Sequence, residues 1–516
     1  MDMAYFIALA IGVSLLTGTA ALAASDRSAR AVSLALEGVM LALLAAALTG
    51  LVQVLQSAPY TADLLTYHGA GLSIRMDAVS LPMLALVAFI GWIVLRYQRT
   101  YLAEEPRRAR FVGWLAITLA SVLLFAGAGN LVQLCAALIA TSLGINRLLL
   151  FYAGRAAARR AARKHFITAR IADAVLLAGA GLLVFTYGTT DIAAILDAAR
   201  AGEGGLVAVM AAGCLAIAAV IISAQFPLHG WLSEVMEAPT PVSALLHAGV
   251  INAGGLLLIR FADVLLLSPA AMAGLVMIGG FTALFGGLVM LTQPAVKTSL
   301  AWSTVAQMGF MIMQCGLALF PLALLHILAH SLYKAHSFLA SGGAVEQIAA
   351  FKRPGPVAVP NARAVGAAFV AALGIYAVMS LGLNIGDKSP QASALGAILI
   401  FGVAYLLAQG LAGSAPAALM QRMAVYSLAA SLGYFALHAM AMWLTAGTLP
   451  AAPEPQALEW VLIGLAVISF GVVAVAQSMF PLWAYHPAAA GLRVHLSNGL
   501  YANAMLDRLL GGWAVR

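Results

Sequence analysis

Charged residues are scarce in this sequence. Only 9% of its 516 residues are Asp, Glu, Lys or Arg, and 63% are hydrophobic, whereas a soluble domain carries about 25% charged residues. A chain this apolar lacks the polar side chains needed to cover a surface that faces water. The composition therefore excludes an ordinary soluble protein and predicts one bundle of membrane helices joined by short loops.

Cysteines and nucleotide-binding motifs are also nearly absent. The three cysteines, Cys135, Cys214 and Cys315, lie inside apolar runs and form no CxxC pair. This argues against a disulfide framework and against an iron–sulfur or zinc site of the usual spacing. There is no Walker A motif and no GxGxxG motif in a strand context, so neither an ATP-driven pump nor a dinucleotide site is indicated. If the chain performs work that needs energy, the energy would have to come from an ion gradient or a partner chain.

Long apolar runs, by contrast, fill the chain. A spanning helix needs about 20 apolar residues, and about 15 runs come near that length. They lie near residues 4–24, 31–55, 78–95, 111–129, 131–152, 168–187, 205–224, 241–265, 269–292, 298–318, 321–342, 362–384, 390–413, 423–445 and 457–484. We therefore predict an all-α polytopic membrane protein with about 13–15 transmembrane helices. No basic residue precedes the first run, unlike in a signal peptide, so we interpret this run as a spanning helix.

The basic residues are distributed unevenly between the connections. When the connections are numbered in order, the odd ones and the C-terminal tail hold most of the 27 Lys and Arg residues. Because cytoplasmic loops are enriched in Lys and Arg, this predicts an N-terminus outside and a C-terminus in the cytoplasm. The net charge of +8 is then a topology signal, and no nucleic-acid partner is needed to explain it.

One apolar run carries three ionisable side chains, His326, His330 and Lys334, at four-residue spacing. Residues four apart share a helix face, so they form a stripe about 12 Å long. Ionisable groups inside a membrane are costly and usually mark a transport path, and both His and Lys can hold or release a proton. The stripe therefore predicts a proton relay. Two other interpretations stay open: hydrogen bonding between helices, and a metal site at the HxxxH pair, which lacks a further carboxylate or cysteine ligand in this run.

A second polar centre surrounds a predicted helix break. Pro227 and Gly230 interrupt one apolar run, and Pro239 and Pro241 begin the next. Broken helices at membrane depth free backbone groups and line cavities in transporters. His247 falls about two turns into the second helix and is predicted to join the relay. The prolines are also compatible with an ordinary loop, and His247 with a packing histidine.

Four more ionisable residues are candidates with two interpretations each. Lys297, at the start of a run, is either a path residue or a lysine that snorkels to the interface. Asp173 is either a path carboxylate or only the ion-pair partner of Arg170, one turn earlier. Glu237, in preference to Glu234, is predicted to line the cytoplasmic mouth, although both are compatible with simple solvation.

The central part of the sequence resembles the proton-conducting antiporter-like subunits of respiratory complex I and of Mrp antiporters. The resemblance rests on FPLHGWL at 226–232, EAPTPVSALLH at 237–247, KTSLAWSTVAQMGF at 297–310 and HxxxHxxxK at 326–334. It implies two inverted five-helix repeats with broken helices, at 111–265 and 269–413, between N-terminal helices (1–110) and C-terminal helices with an interfacial tail (414–516). It further implies a relay of His247, His326, His330 and Lys334, supported by Lys297 and Asp173.

The departures from complex I subunits point to one branch of the family. Those subunits carry a Trp-Glu-Gly motif where this sequence has Leu138-Ile139-Ala140, and a lysine where it has Ile222. They carry another lysine in the second broken helix, and 362–384 has none. The sequences TSLGINRLLLFY at 141–152 and HAGVINAGG at 247–255 resemble the DabB branch, the membrane subunits of a two-component inorganic-carbon accumulation system.

That resemblance implies a division of labour between two chains. In this branch the partner, DabA, is similar to a zinc β-carbonic anhydrase, and a cation gradient through the membrane subunit drives hydration of CO2 to bicarbonate. It implies a non-enzymatic chain without cofactor in a bacterial inner membrane, with a zinc-containing partner on the cytoplasmic side. Two alternatives are an antiporter-like subunit of a complex I or Mrp-type assembly, and a scaffold whose buried His and Lys do not conduct. His and Lys favour H⁺ over Na⁺ without excluding Na⁺.

Overall fold

The computed structural model describes residues 3–67, 69–343, 360–382, 388–412, 416–479, 483 and 486–509. Among these residues, 13 helices are long and apolar enough to cross a membrane. Two further helices of 21 residues each, which contain most of the predicted polar path, lie within the same bundle. The predicted all-α polytopic fold is confirmed.

The chain as far as residue 266 forms twelve helices among the described residues. They are α1 (Met3–Ala23), α2 (Ala29–Gln56), α3 (Ser80–Tyr101), α4 (Arg108–Ala126), α5 (Leu131–Leu149), α6 (Ala156–Tyr187), α7 (Ile192–Arg200), α8 (Gly205–Ile222), α9 (Gly230–Glu234), α10 (Thr240–Ala248), α11 (Ala253–Arg260) and α12 (Ala262–Leu266).

The remainder of the described chain forms nine more helices. They are α13 (Pro269–Met290), α14 (Val296–Gly316), α15 (Phe320–Ala340), α16 (Ala362–Gly382), α17 (Pro390–Gly410), α18 (Ala417–Thr445), α19 (Ala457–Ser478), α20 (Ala490–Ser497) and α21 (Ala502–Leu509).

An antiparallel hairpin between α2 and α3 was not predicted from the sequence. Its strands are β1 (Tyr60–Tyr67) and β2 (Ala70–Met76). Gly71 has a φ of +136°, and a Cβ there would lie 2.0 Å from the Leu65 carbonyl oxygen, so this turn requires glycine. The hairpin was missed because its strands are too short and too polar to stand out among the apolar runs.

Two helix boundaries differ from the apolar runs for physical reasons. Helix α6 begins at Ala156, twelve residues before the predicted run, because its Ala- and Arg-rich first turns favour helix without being apolar. The predicted run 241–265 is divided into α10, α11 and α12, with a 3-10 turn at Val250–Asn252 after Gly249.

The predicted helix break is present. Helix α8 ends at Ile222, and α9 begins only at Gly230, so the intervening backbone is not part of a continuous helix. The second broken helix was predicted at 362–384, where α16 extends from Ala362 to Gly382 and residues 383–387 lie outside the described part of the chain. The division into two inverted repeats stays a prediction.

The segment α10–α12 lies at the centre of the bundle. Nearly all of its residues are buried, and it contacts α3, α8 and α15. The peripheral helices instead expose large apolar side chains such as Leu16, Val370 and Val461, as expected where lipid is the solvent. The burial pattern therefore places His247 in the interior, away from the apolar outer surface.

A buried ion pair ties the hairpin to this central segment. Asp77, just after β2, accepts hydrogen bonds from Arg260 Nη1 at 2.5 Å and from Arg75 Nε at 2.8 Å. The backbone N–H groups of Val79 and Ser80 also donate to it. Burial alone would raise the pKa of Asp77, but the two arginines and these hydrogen bonds hold it well below its usual value.

Candidate functional site

The predicted polar stripe lies on one face of α15. His330 and Lys334 are buried, and the ring centroids of His326 and His330 are 6.1 Å apart. Pro321 occupies the first turn of the helix, where its missing N–H costs no hydrogen bond. The helix thus carries three ionisable groups into the bundle on successive turns.

Lys334 has no counterion among the described residues. Its side chain is 0% exposed, and its Nζ donates to the carbonyl oxygen of Leu300 on α14 at 3.1 Å. A carbonyl compensates a buried ammonium less well than a carboxylate does. The Lys334 side chain is therefore buried without an ion pair in the described structure.

His247 approaches the stripe from α10. Its ring is fully buried and stacks on Phe338, with centroids 4.3 Å apart. The His330 Nε2 lies 3.2 Å from the His247 carbonyl oxygen, so the tautomer with a proton on Nε2 donates there. Neither ring nitrogen of His247 has a hydrogen-bond partner in the described structure. The two helices touch at this point, and no hydrogen bond joins the two rings in the described structure.

His326 faces a cavity at the other end of the stripe. Its Nδ1 lies 3.0 Å from Gln314 Oε1, which can only accept, so Nδ1 carries the proton. Its Nε2 has no protein partner among the described residues. His326 and His330 both line a cavity of about 460 Å³.

Lys297 connects the start of α14 to the start of α10. Its Nζ donates to Thr240 Oγ1 at 3.3 Å, and this hydroxyl in turn donates to the Tyr101 hydroxyl at 3.4 Å. Thr240 lies seven residues before His247, about 10 Å along the helix. Lys297 is half-buried, so its placement is compatible with both sequence-based interpretations.

The two glutamates after the helix break have different surroundings. The Glu237 side chain is 43% exposed and pairs with Arg155 at 3.0 Å. Glu234 is more buried and accepts from Lys164 Nζ and from Asn503 Nδ2, both at 2.6 Å. The structure therefore places Glu234, not Glu237, in an inward-facing polar network; the path role of Glu237 stays a prediction.

Lys164 was not singled out from the sequence. It is 2% exposed and forms a second ion pair, with Asp507 of α21, at 2.6 Å. In the sequence it stands among five arginines between residues 155 and 170 and looks like one of a cytoplasmic basic cluster. Its ion pairs with Glu234 of α9 and Asp507 of α21 distinguish Lys164 from the neighbouring arginines, and these pairs are visible only in the fold.

Asp173 lies where two helices enclose a small space. It pairs with Arg170 at 2.5 Å, as the simpler interpretation expected. It also lines a cavity of about 40 Å³ together with Leu138, Thr141 and His165. Asp173 of α6 and Leu138 of α5 therefore line the same small cavity.

His229 is a further buried group that the sequence analysis did not select. It lies in the helix break, and its ring centroid is 4.9 Å from that of Trp302 and 5.7 Å from that of Phe226. The sequence did contain a signal for His229, because an ionisable residue stands two positions after Pro227 in the predicted helix break.

The predicted absence of metal and cofactor has no direct test in the structure. Across the described ranges, no three His, Cys, Asp or Glu side chains form a group that could hold a metal ion. The three cysteines are free. The absence of a cofactor stays a prediction.

Comparisons with known proteins agree with this arrangement of helices. The family described as NADH:quinone oxidoreductase/Mrp antiporter, TM, matches residues 128–353. The family described as NADH-Ubiquinone oxidoreductase (complex I), chain 5 N-terminus, matches residues 67–112. Together these matches include β2, the helix break and the stripe.

Individual relatives extend the likeness over most of the chain. The probable inorganic carbon transporter subunit DabB2 of Halothiobacillus neapolitanus is 39% identical over 445 residues, covering 85% of this chain and 80% of the relative. The probable subunit DabB of Hydrogenovibrio crunogenus is 45% identical over 279 residues, 54% of each chain. The solved Mrp complex from Dietzia sp. DQ12-45-1b contains a chain with a TM-score of 0.60 and 24% identity, covering 99% of this chain and 57% of that one, which supports the fold alone.

Proposed function

Because the chain belongs to the family of DabB membrane subunits, we propose that it conducts protons through its helix bundle to drive inorganic-carbon uptake with a partner chain. An ion-conducting membrane subunit is what the family match and the DabB relatives have in common. The nature of the ion, the path and the coupling are inferred from the site.

The observation that carries the proposal is the buried Lys334, which has a carbonyl partner and no carboxylate within the described structure. A proton passes among Lys334, His330, His326 and His247, with water bridging the gaps between rings. Lys297 adjoins the start of α10 and supports the inner end of the path. Groups that hold protons in this way favour H⁺ over Na⁺.

The partner is proposed to be a DabA-like chain that resembles a zinc β-carbonic anhydrase. The hydration of CO2 would occur on that chain, and this subunit would supply the driving gradient without catalysis of its own. The surface that carries Arg155, Arg160 and the tail helix α21 is basic and is therefore assigned to the cytoplasmic side. On this proposal the partner would dock next to the Glu234 network, and this subunit would lie in a bacterial inner membrane.

A second candidate is an antiporter-like subunit of a complex I or Mrp-type assembly. The family description names both kinds of complex, and a solved Mrp complex shares the fold. Purification from the native host separates the two functions. One large soluble zinc protein in the complex supports the first, whereas several other membrane subunits support the second.

The test of the proposed function is growth rescue of a carbonic-anhydrase-deficient bacterium at low CO2. The chain is expressed with its candidate partner as wild type, as Lys334→Met and as His336→Gln. Methionine keeps most of the volume of lysine but cannot carry a proton, and His336 is an exposed histidine on the same helix. We expect rescue by the wild type and by His336→Gln, but not by Lys334→Met at equal membrane levels.

Other outcomes would change the conclusion. Rescue by all three proteins removes Lys334 from the mechanism. Failure of all three, with the assembled pair confirmed in the membrane, favours the antiporter-complex function.

A further inference from the structure

A cavity bordered by arginines lies where α2, α3 and α4 meet at one end of the bundle. It has a volume of about 400 Å³ and is lined by Arg30, Ser33, Arg99, Thr100, Ala103 and Arg108. The connections α1–α2 and α3–α4 touch beside it, since the backbone N–H of Ala109 donates to the Asp26 carboxylate at 2.8 Å. Three guanidinium groups from separate helices thus border one space at the helix ends.

The protein compensates the charge of these guanidinium groups only in part. Arg99 forms an ion pair with the buried Glu37, with Nε 2.9 Å from Oε1. Arg108 donates to two backbone carbonyl oxygens, and Arg30 has neither a hydrogen bond nor an ion pair among the described residues. In the same part of the chain no carboxylate pairs with Arg30 or Arg108. The cavity therefore carries excess positive charge and favours an anion.

The donors left over belong to arginine rather than to the hydroxyl groups. The Ser33 and Thr100 hydroxyls already donate to backbone carbonyl oxygens within their own helices. Glu37 engages the Nε side of Arg99, whose two terminal nitrogens have no hydrogen-bond partner in the described structure. A guanidinium fork of this kind matches the oxygens of a phosphate group.

The outer face of α2 continues from the cavity as a row of exposed leucines. Leu34, Leu41, Leu48 and Leu55 are 48%, 42%, 49% and 39% exposed, and their seven-residue spacing places them on one helix face. Arg30 stands four residues before Leu34, on the same face. The row is about 32 Å long, close to the hydrocarbon thickness of a bilayer, about 30 Å. Arg30 is therefore at the level of the lipid head groups.

We propose that this arginine cavity binds the phosphate group of one anionic phospholipid, whose acyl chains lie along the leucine row of α2. Arg30 and Arg99 donate to the phosphate oxygens, and Arg108 adds positive charge. Basic pockets between membrane helices are suited to such head groups. A soluble phosphate offers the same oxygens but nothing to cover the leucines.

The charge of the cavity also selects between lipids. Among the described residues, neither a carboxylate nor an aromatic ring lines it, so the ammonium of a zwitterionic head group would meet only like charge. The cavity is formed by α2–α4, apart from the stripe of α15, and the inference does not depend on proton conduction.

The first test measures lipid binding by native mass spectrometry of the detergent-solubilised complex isolated through a tag on this chain. The variants are Arg30→Gln, which removes no protein contact, and Ala103→Trp, which fills part of the cavity. Arg27→Gln is the matched control, because Arg27 is an exposed arginine of the same connection and does not line the cavity.

We expect phosphatidylglycerol to bind the wild type one-to-one and phosphatidylcholine to bind more weakly. Both cavity variants should raise the Kd for phosphatidylglycerol by at least about five-fold, which is the contribution of one basic residue at an anionic membrane surface. Arg27→Gln should change it by less than about two-fold, because a charge outside the cavity is screened.

Each other outcome overturns part of this site. Equal losses in Arg27→Gln and Arg30→Gln would mean that general surface charge holds the lipid. Equal affinity for phosphatidylcholine would contradict the preference for an anionic head group. One-to-one binding of inorganic phosphate that excludes phosphatidylglycerol would assign the cavity to a soluble anion. If one cavity variant does not assemble, unchanged binding in the other is sufficient to refute the site.

A second measurement locates the acyl chains. Phosphatidylglycerol with a diazirine in one acyl chain is added as a minor component to phosphatidylcholine nanodiscs and photoactivated. Labelling should be enriched at Leu34 and Leu41 relative to Leu177 of α6, which is 50% exposed, and Arg30→Gln should abolish the enrichment. Equal labelling of the two helices in the wild type would show that no lipid is held along α2.

Discussion

Removing the charge of Asp77 should destabilise the bundle more than any surface charge change. Asp77 is 0% exposed and is held between Arg260, the last residue of α11, and Arg75 of β2. The substitution Asp77→Asn keeps the shape and an oxygen for the N–H groups of Val79 and Ser80, so the change is mainly one of charge. It leaves the buried guanidinium of Arg260 without a counterion.

The size of the effect follows from two estimates. Unit charges about 4 Å apart interact by about 4 kcal/mol at an effective dielectric constant of 20. Breaking a buried ion pair by removal of one partner costs about 3–5 kcal/mol in measured cases. We therefore expect Asp77→Asn to lower the free energy of unfolding by about 3–5 kcal/mol. The control Glu105→Gln, in a partly exposed pair with Arg107, should cost less than about 1 kcal/mol.

Unfolding by SDS titration, followed by tryptophan fluorescence, measures both variants. Because the pKa of Asp77 is held below its usual value, its stabilisation is present above the unfolded-state pKa and is lost as the pH falls through the folded-state pKa. The difference in unfolding free energy between the wild type and Asp77→Asn should thus stay constant down to about pH 5 and narrow only below about pH 4. If Asp77→Asn lowered the free energy of unfolding as little as Glu105→Gln does, the reasoning would be refuted.

Two further predictions concern close backbone contacts. A Cβ at Gly309 would lie 2.5 Å from the backbone nitrogen of Ala283, so Gly309→Val should separate α13 from α14 and lower the unfolding midpoint. Gly274→Val, which meets open space, should lower it far less in the same titration. A Cβ at Gly230 would lie 2.0 Å from Asn503 Oδ1, so Gly230→Ala should displace the tail helix and speed its cleavage in limited proteolysis; an unchanged cleavage rate would show that the tail is not held there.

Several features could be predicted from the sequence because they depend on local spacing. The membrane helices follow from the length of apolar runs, and the stripe of α15 follows from four-residue spacing, since side chains four apart always share a helix face. The helix break followed from Pro227 and Gly230, because each disfavours continuous helix wherever it stands.

Other features depend on residues that are distant in the sequence. Lys164, Glu234 and Asp507 form one network although up to 343 positions separate them. Sequence position favoured Glu237 over Glu234 as the path residue, and only the fold shows that Glu234 is the less exposed of the two. Lys388 lies four residues beyond the apolar run 362–384, and the aromatic rings of Tyr376 and Phe435 that contact it come from α16 and α18.

The sequence by itself determined that this is a bundle of membrane helices with proton-holding groups on one of them. Those properties follow from hydrophobicity and helical periodicity, which act over a few turns. The tertiary structure decided which ionisable groups have counterions, which face water-sized space and which remain unpaired. The physical reason is that solvation and pairing depend on what packs against a side chain, and in this bundle the neighbours come from distant parts of the chain.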